Sequence, residues 1–425
     1  MATETAFTMD TSAIKVGPGV TGEVGDDLGG LGRARVLIVT DPRMAELSPV
    51  TVVADSLRDA GIDATVYDRV RVEPTDESFK DAIDFAIEGH FDGFVAVGGG
   101  SSIDTAKAAN LYSTYPDDIL TYVNPPIGQG TPIPGPLQPL IAVPTTAGTG
   151  SETTGVAIFD YLKMRAKTGI AHRALRPTMG IVDPDNTRLM PPLVAAASAL
   201  DVLSHALESL TALPYSERPA PERSQMRPAY QGSNPISDIW AARAIELVAG
   251  NLVHAVAHPE DDEARMNMLI AATFAGIGFG NAGVHLPHGM SYPVSGMVRD
   301  YQPEGYPDDH PIVPHGISVI LNAPAVFRFT APADPERHLR AASLLGADIE
   351  GAAEADAGDI LANTVIDLMR ETGMPNGLAA IGFTDADVDA LAAGTLPQHR
   401  ATKLSPRPAD EDDLRGLFRD AMSYW

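Results

Sequence analysis

The chain has 425 residues, of which 30 are Lys or Arg and 56 are Asp or Glu, so its formal net charge at pH 7 is −26. Such an acidic protein repels phosphate backbones and anionic lipids, which argues against a nucleic acid or a membrane as its main partner. The absence of cysteine excludes disulfides, thiolate zinc sites, iron–sulfur clusters and a cysteine nucleophile. No apolar run approaches the roughly 20 residues of a membrane span, and the first residues lack the pattern of a signal or transit peptide. We therefore expect a cytoplasmic protein.

Strand and helix patterns alternate through the first part of the chain. Short apolar and β-branched runs predict strands at 36–40, 64–67, 94–97 and 140–143. Apolar residues at helical spacing predict helices at 50–60, 79–87 and 103–111. This alternation is typical of a parallel sheet with helices on both faces. We predict an α/β domain over residues 1–190.

The composition changes near residue 190. Ala- and Leu-rich stretches with few β-branched runs predict long helices at 192–213, 236–256 and 260–277. Two irregular stretches rich in proline, 214–235 and 298–314, interrupt this pattern, and loops of such length in a compact protein are usually functional or disordered. We predict an all-α domain over residues 191–425.

A glycine-rich turn, Gly98-Gly99-Gly100-Ser101, follows the predicted strand at 94–97 and precedes a helix. Glycines let the backbone approach a phosphate closely, and a helix N-terminus offers N–H groups and a partial positive charge. A plain strand-to-helix turn is the alternative, although three consecutive glycines exceed what a turn needs. No Gly-Lys-Ser/Thr follows, which argues against P-loop chemistry.

A second loop, 144–152, ends the strand at 140–143 and supplies hydroxyl groups at the edge where open α/β sheets bind ligands. Alone it also fits a Ser/Thr-rich loop with helix caps, but together with the glycine turn it predicts a dinucleotide site. Asp41 closes the first predicted strand. A carboxylate there suits a ribose diol and repels a 2′-phosphate, which favours NAD over NADP; an Asp-Pro turn is the alternative.

Four side chains predict a metal site in the second domain. Asp201 and His205 are four residues apart in an Ala/Leu-rich stretch, so they share one helix face. Burying them is costly unless they pair with each other or bind a metal. His288 and His315 each lie in a Pro-His-Gly triplet, and one Asp with three His fills four sites of Zn²⁺ or Fe²⁺ without thiolates. His285, three residues before His288, is the alternative candidate for the third ligand.

Two further histidines, His254 and His258, also have this four-residue spacing. They fall in the last turn of a predicted helix before Pro259, where a histidine complements the helix C-terminus. We therefore leave them out of the metal site.

A metal site and a dinucleotide site in one chain predict hydride transfer at an alcohol carbon. A metal polarises the substrate oxygen and stabilises the developing alkoxide. The nicotinamide cofactor accepts the hydride.

These motifs together resemble the iron-dependent (group III) alcohol dehydrogenase family along nearly the whole chain. The matching segments are 98–101 with Asp104 and Lys107, 144–152, 181–184, 201–208 and 314–316. The resemblance implies that the glycine turn holds the pyrophosphate, that the second loop lines the nicotinamide side and that Lys167 contacts the cofactor. With Asp41, the expected cofactor-binding residues are Gly99, Gly100, Ser101, Thr145, Thr146, Thr149 and Lys167. The expected metal ligands are Asp201, His205, His288 and His315.

The sequence departs from the family pattern in two places. Most members have a second histidine four residues after the third ligand, where this chain has Tyr292, and the interval from His288 to His315 is longer than usual. Both departures, with segments 72–76, 227–238 and 394–398, resemble one branch of the family, the hydroxyacid-oxoacid transhydrogenases. That branch implies that a hydroxy acid such as 4-hydroxybutyrate passes a hydride to tightly bound NAD, and that a 2-oxo acid such as 2-oxoglutarate takes it back.

Several assignments stay open at this point. Tyr292 either hydrogen-bonds the substrate oxygen, relays its proton or packs as an ordinary aromatic residue. The arginines considered for the substrate carboxylate are Arg227, Arg243 and Arg299. An ordinary NAD-dependent alcohol dehydrogenase that releases NADH is the main alternative function, ahead of a lyase of the dehydroquinate-synthase type and a non-catalytic binding protein. The family resemblance implies a homo-oligomer, a dimer or larger.

Overall fold

The structure, a computed structural model, describes residues 3–164, 166–307 and 309–425. The chain forms two compact units, one over Thr11–Met190 and the other over Pro191–Trp425 together with Met1–Asp10. The first unit contains a parallel sheet and helices, and the second is helical. The predicted fold class is therefore confirmed.

The start of the chain belongs to the helical unit, whereas the sequence patterns placed it in the α/β domain. The Glu4 N–H donates to the backbone oxygen of Arg218 at 2.8 Å. The Thr8 N–H donates to the side-chain oxygen of Gln231 at 2.9 Å. These hydrogen bonds join segments far apart in sequence, so local patterns do not reveal them.

A parallel sheet organises the α/β unit. The strands are β1 (Ala13–Val16), β2 (Arg35–Val39), β3 (Asp63–Tyr67), β4 (Gly93–Gly98), β5 (Leu140–Pro144), β6 (Val156–Tyr161), β7 (Ala166–Ala171) and β8 (Met179–Val182). Six of them form the sheet, in the order β1-β8-β5-β4-β2-β3, and β6 pairs with β7 in a separate antiparallel ribbon. The sequence patterns predicted β2 to β5.

Helices cover both faces of this sheet. They are α1 (Val24–Gly30), α2 (Ser48–Asp59), α3 (Asp76–Gly89) and α4 (Gly100–Thr114). Successive side chains of a strand point to opposite faces. Leu37 packs with residues of α3 and α4, whereas Val36 and Ile38 pack with residues of α1 and α2. Burial on both faces explains why these strands are continuous apolar runs.

The second unit is built from helices of very different lengths. They are α5 (Pro192–Thr211), α6 (Pro235–Ala257), α7 (Asp262–Ala282), α8 (Leu286–Gly296), α9 (His315–Ile320), α10 (Ala323–Thr330), α11 (Pro335–Leu344), α12 (Ala357–Glu371), α13 (Val388–Thr395), α14 (His399–Thr402) and α15 (Glu411–Asp420). The helices α5, α6 and α7 correspond to the three long helices predicted from composition. Helix α5 packs against α6, α7 and α9, which places it inside this unit.

Two of these helices are long and apolar. By length and composition alone, α5 and α6 could each cross a membrane, and the bent pair α7 and α8 passes the same test when taken together. In the most apolar 18-residue stretch of α5, 78% is buried inside the folded chain. Packing against neighbouring helices therefore accounts for the composition of α5.

Candidate functional site

The four predicted metal ligands converge in the helical unit. Asp201 and His205 lie one turn apart on α5, His288 lies in the first turn of α8, and His315 begins α9. One ligand atom from each residue lies within 4.8 Å of the others. The Asp201 carboxylate is 3.9 Å from Nδ1 of His205 and 3.7 Å from Nε2 of His288. It is also 3.9 Å from Nε2 of His315.

This donor set fits a divalent ion. Bonds from zinc to nitrogen or oxygen are about 2.0–2.2 Å long, so the ligand atoms of one tetrahedral ion lie roughly 3.5 Å apart, slightly closer than the 3.7–3.9 Å separations from Asp201. Among the described residues, Nδ1 of His205 and Nε2 of His288 are buried with no hydrogen-bond partner, and leaving such atoms unsatisfied costs about 1–3 kcal/mol each. Burial lowers the pKa of His205 well below its usual value and that of His288 to about 3. Both imidazoles are therefore neutral, the form that binds a metal.

Glu208, to which the sequence patterns assigned no role, orients one of these predicted ligands. Its Oε1 lies 2.5 Å from Nδ1 of His288, and its Oε2 accepts the backbone N–H of His285 at 2.6 Å. The carboxylate fixes the His288 ring so that Nε2 faces Asp201, an arrangement common around metal-binding histidines. Burial raises the pKa of Glu208 to about 7. Its position three residues after His205, on the same helix face, was the available sequence signal.

The competing histidines are engaged elsewhere. Nε2 of His285 lies 2.9 Å from the hydroxyl of Thr211, and His285 is not part of the ligand cluster. His254 is paired with Asp261 at 2.8 Å in an exposed position, close to His258. The structure therefore distinguishes His288 from His285, which the sequence alone did not.

In the α/β unit, the glycine turn and the second loop are packed directly against each other. A Cβ atom added at Gly100 would lie 2.6 Å from Cγ2 of Thr149, and one added at Gly99 would lie 3.3 Å from Oγ1 of Thr146. The Thr145 N–H donates to the oxygen of Gly98 at 3.1 Å. Glycine is required here because side chains would force the two loops apart.

A buried lysine holds the second loop in place. Nζ of Lys107, in α4, donates to Oγ of Ser151 at 2.5 Å and to the oxygen of Val156 at 2.8 Å. Asp104 accepts a hydrogen bond from Oγ of Ser151 at 2.6 Å. Asp104 and Lys107, both in the segments that match the family, therefore connect α4 to the second loop and to β6.

Asp41 lies beside the glycine turn. Its Oδ2 would be 3.8 Å from a Cβ atom at Gly98, while its Oδ1 accepts the N–H groups of Arg43 and Met44, each at 3.0 Å. The carboxylate thus caps a local turn and also stands at the edge of the sheet where the sequence predicted a ribose contact. That contact stays a prediction.

Lys167 lies in a buried ion-pair cluster. Its Nζ is 2.6 Å from Oε2 of Glu73 and 3.1 Å from Oδ1 of Asp160, and these carboxylates raise its pKa against the opposing effect of burial. The Glu73 N–H donates to Oγ of Ser101 at 3.2 Å. The cluster therefore connects Lys167 to the glycine turn through Glu73, whereas direct contact of Lys167 with a cofactor stays a prediction.

Tyr292 lies one turn after His288 on α8, and its side chain is buried. Its hydroxyl oxygen accepts a hydrogen bond from Nη2 of Arg400. The guanidinium carbon of Arg400 lies 5.1 Å from the ring centre of Tyr230. The sequence patterns identified Tyr292 as a candidate but not Arg400, because 108 residues separate the two.

Family models match both parts of the chain. Residues 11–184 match the iron-containing alcohol dehydrogenase model, and residues 229–422 match the model described as Fe-containing alcohol dehydrogenase family, C-terminal. This chain belongs to the iron-containing alcohol dehydrogenase family.

Curated relatives extend this family match over the full length. The hydroxyacid-oxoacid transhydrogenase of Bos taurus is 58% identical over 425 residues, covering 100% of this chain and 91% of its own. The probable hydroxyacid-oxoacid transhydrogenase of Dictyostelium discoideum is 52% identical, covering 100% of this chain and 80% of its own. Both carry the description mitochondrial, so the expectation of a cytoplasmic protein was wrong. The lack of a targeting pattern in the first residues does not identify the compartment.

Solved structures of the family share the fold. The alcohol dehydrogenase of Oenococcus oeni has a TM-score of 0.85 at 28% identity, covering 98% of this chain and 100% of its own. The sulfoacetaldehyde reductase of Bifidobacterium kashiwanohense, solved with NAD⁺, has a TM-score of 0.80 at 27% identity, covering 99% and 100%. Family membership, the NAD⁺-bound relative and the four converging ligands support NAD and a metal as cofactors of this family member.

Proposed function

We propose that this protein is a hydroxyacid-oxoacid transhydrogenase. It would oxidise a hydroxy acid such as 4-hydroxybutyrate to succinate semialdehyde and reduce a 2-oxo acid such as 2-oxoglutarate to 2-hydroxyglutarate. Each cycle moves two electrons and two protons between the substrates, with no net change in NAD. The observation that carries the proposal is the 58% identity over all 425 residues to a protein of that name.

The helical unit would hold a divalent ion, Fe²⁺ or Zn²⁺, through Asp201, His205, His288 and His315. Bound there, the ion supplies Lewis-acid polarisation of the substrate oxygen. Glu208 keeps His288 in the orientation that binding requires. Since Asp and His donors accept both metals, availability decides which one is bound.

The α/β unit would bind NAD at the glycine turn. The N–H groups at the start of α4 suit the pyrophosphate, and the close approach of Gly99 and Gly100 to Thr146 and Thr149 supports a shared binding surface. Asp41 favours an unphosphorylated ribose. Retention of NAD through both half-reactions would make this a transhydrogenase instead of an enzyme that releases NADH.

The test compares turnover with and without the second substrate. The purified protein, with its metal content measured, is mixed with 4-hydroxybutyrate and free NAD, and both NADH and succinate semialdehyde are followed. We expect no more than about one NADH per active site without an oxo acid, and many turnovers of semialdehyde once 2-oxoglutarate is added. Continuous NADH accumulation without an oxo acid would instead identify an ordinary NAD-dependent alcohol dehydrogenase.

A variant and a chelator connect this activity to the metal site. His288→Ala removes one ligand, so we expect loss of the bound metal and of both half-reactions. Removal of the metal by a chelator should have the same effect, and added Zn²⁺ or Fe²⁺ should restore activity in the unmodified protein. Turnover that survives chelation with no metal remaining would contradict the proposed mechanism.

A further inference from the structure

The proposed substrates are carboxylates, and a protein with a net charge of −26 needs a local cation to bind them. The three arginines suggested by the sequence are paired with acidic side chains. Arg227 bonds Glu4 at 2.9 Å, and Arg243 bonds Glu246 at 2.8 Å on the surface. Arg299 is likewise paired, with Asp387. The contacts of these three arginines do not bring any of them to the ligand cluster.

Arg400, in contrast, contacts the helix that carries one of the cluster's histidines. It lies on α14, which packs against α8, the helix that carries His288. Nη2 of Arg400 donates to the hydroxyl of Tyr292, which follows His288 by four residues. Residues four apart share one face of a helix, so Tyr292 and the Arg400 guanidinium that contacts it lie on the same side of α8 as His288.

Aromatic side chains position this guanidinium. Its carbon lies 5.1 Å from the ring centre of Tyr230 and 6.0 Å from that of Tyr292, within the range of cation–π attraction. Tyr230 and Tyr292 are both buried, whereas Arg400 is only half-buried. A rigidly held guanidinium that remains accessible is suited to a ligand, because its planar fork of N–H donors matches the two oxygens of a carboxylate.

We propose that Arg400 binds the substrate carboxylate, with Tyr292 and Tyr230 as its positioning residues. A hydroxy acid would place its hydroxyl at the ligand cluster and its carboxylate at Arg400. The same contact serves the distal carboxylate of the oxo acid. This inference rests on the proposed function and adds the residue that selects acids over neutral alcohols.

The first test measures substrate selectivity. The kinetics of 4-hydroxybutyrate oxidation are compared with those of butane-1,4-diol, a neutral alcohol that has a CH₂OH group in place of the carboxylate. In both measurements a neutral aldehyde replaces 2-oxoglutarate as the hydride acceptor. In Arg400→Met we expect kcat/KM for 4-hydroxybutyrate to fall about 30-fold or more, as for the loss of a charged hydrogen-bonding partner. Turnover of the diol should change less than threefold. Arg400→Lys, which keeps the charge and loses the fork, should have intermediate selectivity.

The matched control is Arg407→Met. Arg407 is an exposed arginine of the same segment, lying over the ring of Phe329 at 3.9 Å. The same change of charge at Arg407 should leave the selectivity for acids unchanged. An equal loss of selectivity in the Arg407 variant would assign the effect to overall charge and overturn the inference.

The second test measures binding without turnover. Glutarate, a dicarboxylate with no hydroxyl or keto group, is titrated calorimetrically into the metal-loaded wild type and into Arg400→Met and Arg400→Lys. We expect glutarate to bind the wild type and to bind Arg400→Met at least about tenfold more weakly. Equal affinity of the wild type and Arg400→Met for glutarate would overturn the inference. So would an equal loss of turnover with the acid and with the diol in both Arg400 variants. Failure of the wild type to transfer hydride between the two acids would instead overturn the proposed function.

Discussion

Oε1 of Glu208 lies 2.5 Å from Nδ1 of His288, so a buried carboxylate on α5 fixes the ring of a predicted metal ligand on α8. The two residues are 80 positions apart in sequence. The contact explains why Nε2, and not Nδ1, of His288 faces the Asp201 carboxylate. It also gives a buried acidic side chain a defined role next to the candidate metal.

Glu208→Gln tests that role. The amide removes the negative charge and can turn its NH₂ group towards Nδ1 of His288, so the ring loses its orientation. We expect the Kd for Zn²⁺ to rise about 10- to 100-fold, measured by competition with a chromogenic chelator. The matched control is Glu246→Gln, an exposed residue paired with Arg243, which should leave zinc affinity unchanged. Equal zinc affinity in Glu208→Gln and wild type would contradict the positioning role.

Gly100→Ala tests the packing of the glycine turn against the second loop. The new Cβ would lie 2.6 Å from Cγ2 of Thr149, and overpacking of this kind costs about 1–3 kcal/mol. If the two loops together bind NAD, we expect its Kd to rise about tenfold, measured by titration of NAD into protein stripped of cofactor.

Two further variants make this result specific. Gly250→Ala, in α6, adds a methyl group where no atom lies within 4 Å apart from its chain neighbours and the nearby backbone of its own helix, and it should leave NAD affinity unchanged. Adding Thr149→Ser to Gly100→Ala removes the closest contact and should restore part of the affinity. Unchanged NAD binding in Gly100→Ala would separate the glycine turn from the nucleotide site.

The sequence predicted those parts of the molecule that depend on local spacing. Asp201 and His205 were recognisable because four residues make one turn of an apolar helix, and β4 with the glycine turn was recognisable as a buried strand followed by a helix start. The antiparallel strands β6 and β7 were missed. They contain Asp160, Lys167 and Gly169, and these residues interrupt the apolar pattern that identified the other strands.

Contacts between distant segments were beyond the reach of such patterns. His285 and His288 lie in one segment and are both buried. Only the fold shows that the first faces Thr211 and the second faces Asp201. In the same way, Arg400 gains significance from the packing of α14 on α8, which no local motif encodes.

The ion pair between Glu4 and Arg227 predicts a pH-dependent contribution to stability. The hydrogen bond from Arg227 lowers the pKa of Glu4 from 4.5 to about 2. Because the folded state holds the charged carboxylate more strongly than the unfolded state, this contribution is fully present above pH 4.5. It is lost as the pH falls towards 2.

Denaturant unfolding of wild type and Glu4→Gln measures this contribution. We expect the variant to be less stable at pH 7, and the difference in free energy of unfolding to shrink between pH 4.5 and 2. Glu246→Gln breaks an exposed pair and should show little difference at any pH. A Glu4 effect that is constant with pH, or that grows in acid, would contradict the ion-pair explanation.

Tyr292→Phe distinguishes positioning of Arg400 by this hydroxyl from relay of the substrate proton. If the hydroxyl positions Arg400, its loss raises KM for 4-hydroxybutyrate severalfold, leaves kcat nearly unchanged and has little effect on the neutral diol. If it relays the substrate proton, kcat falls by about 100-fold or more for both substrates. We expect the first result, because the Tyr292 oxygen accepts a hydrogen bond from Arg400. Tyr424→Phe is the control: it removes a hydroxyl that donates to the Leu321 oxygen at 2.7 Å, so it should lower stability by about 1 kcal/mol without changing KM for either substrate.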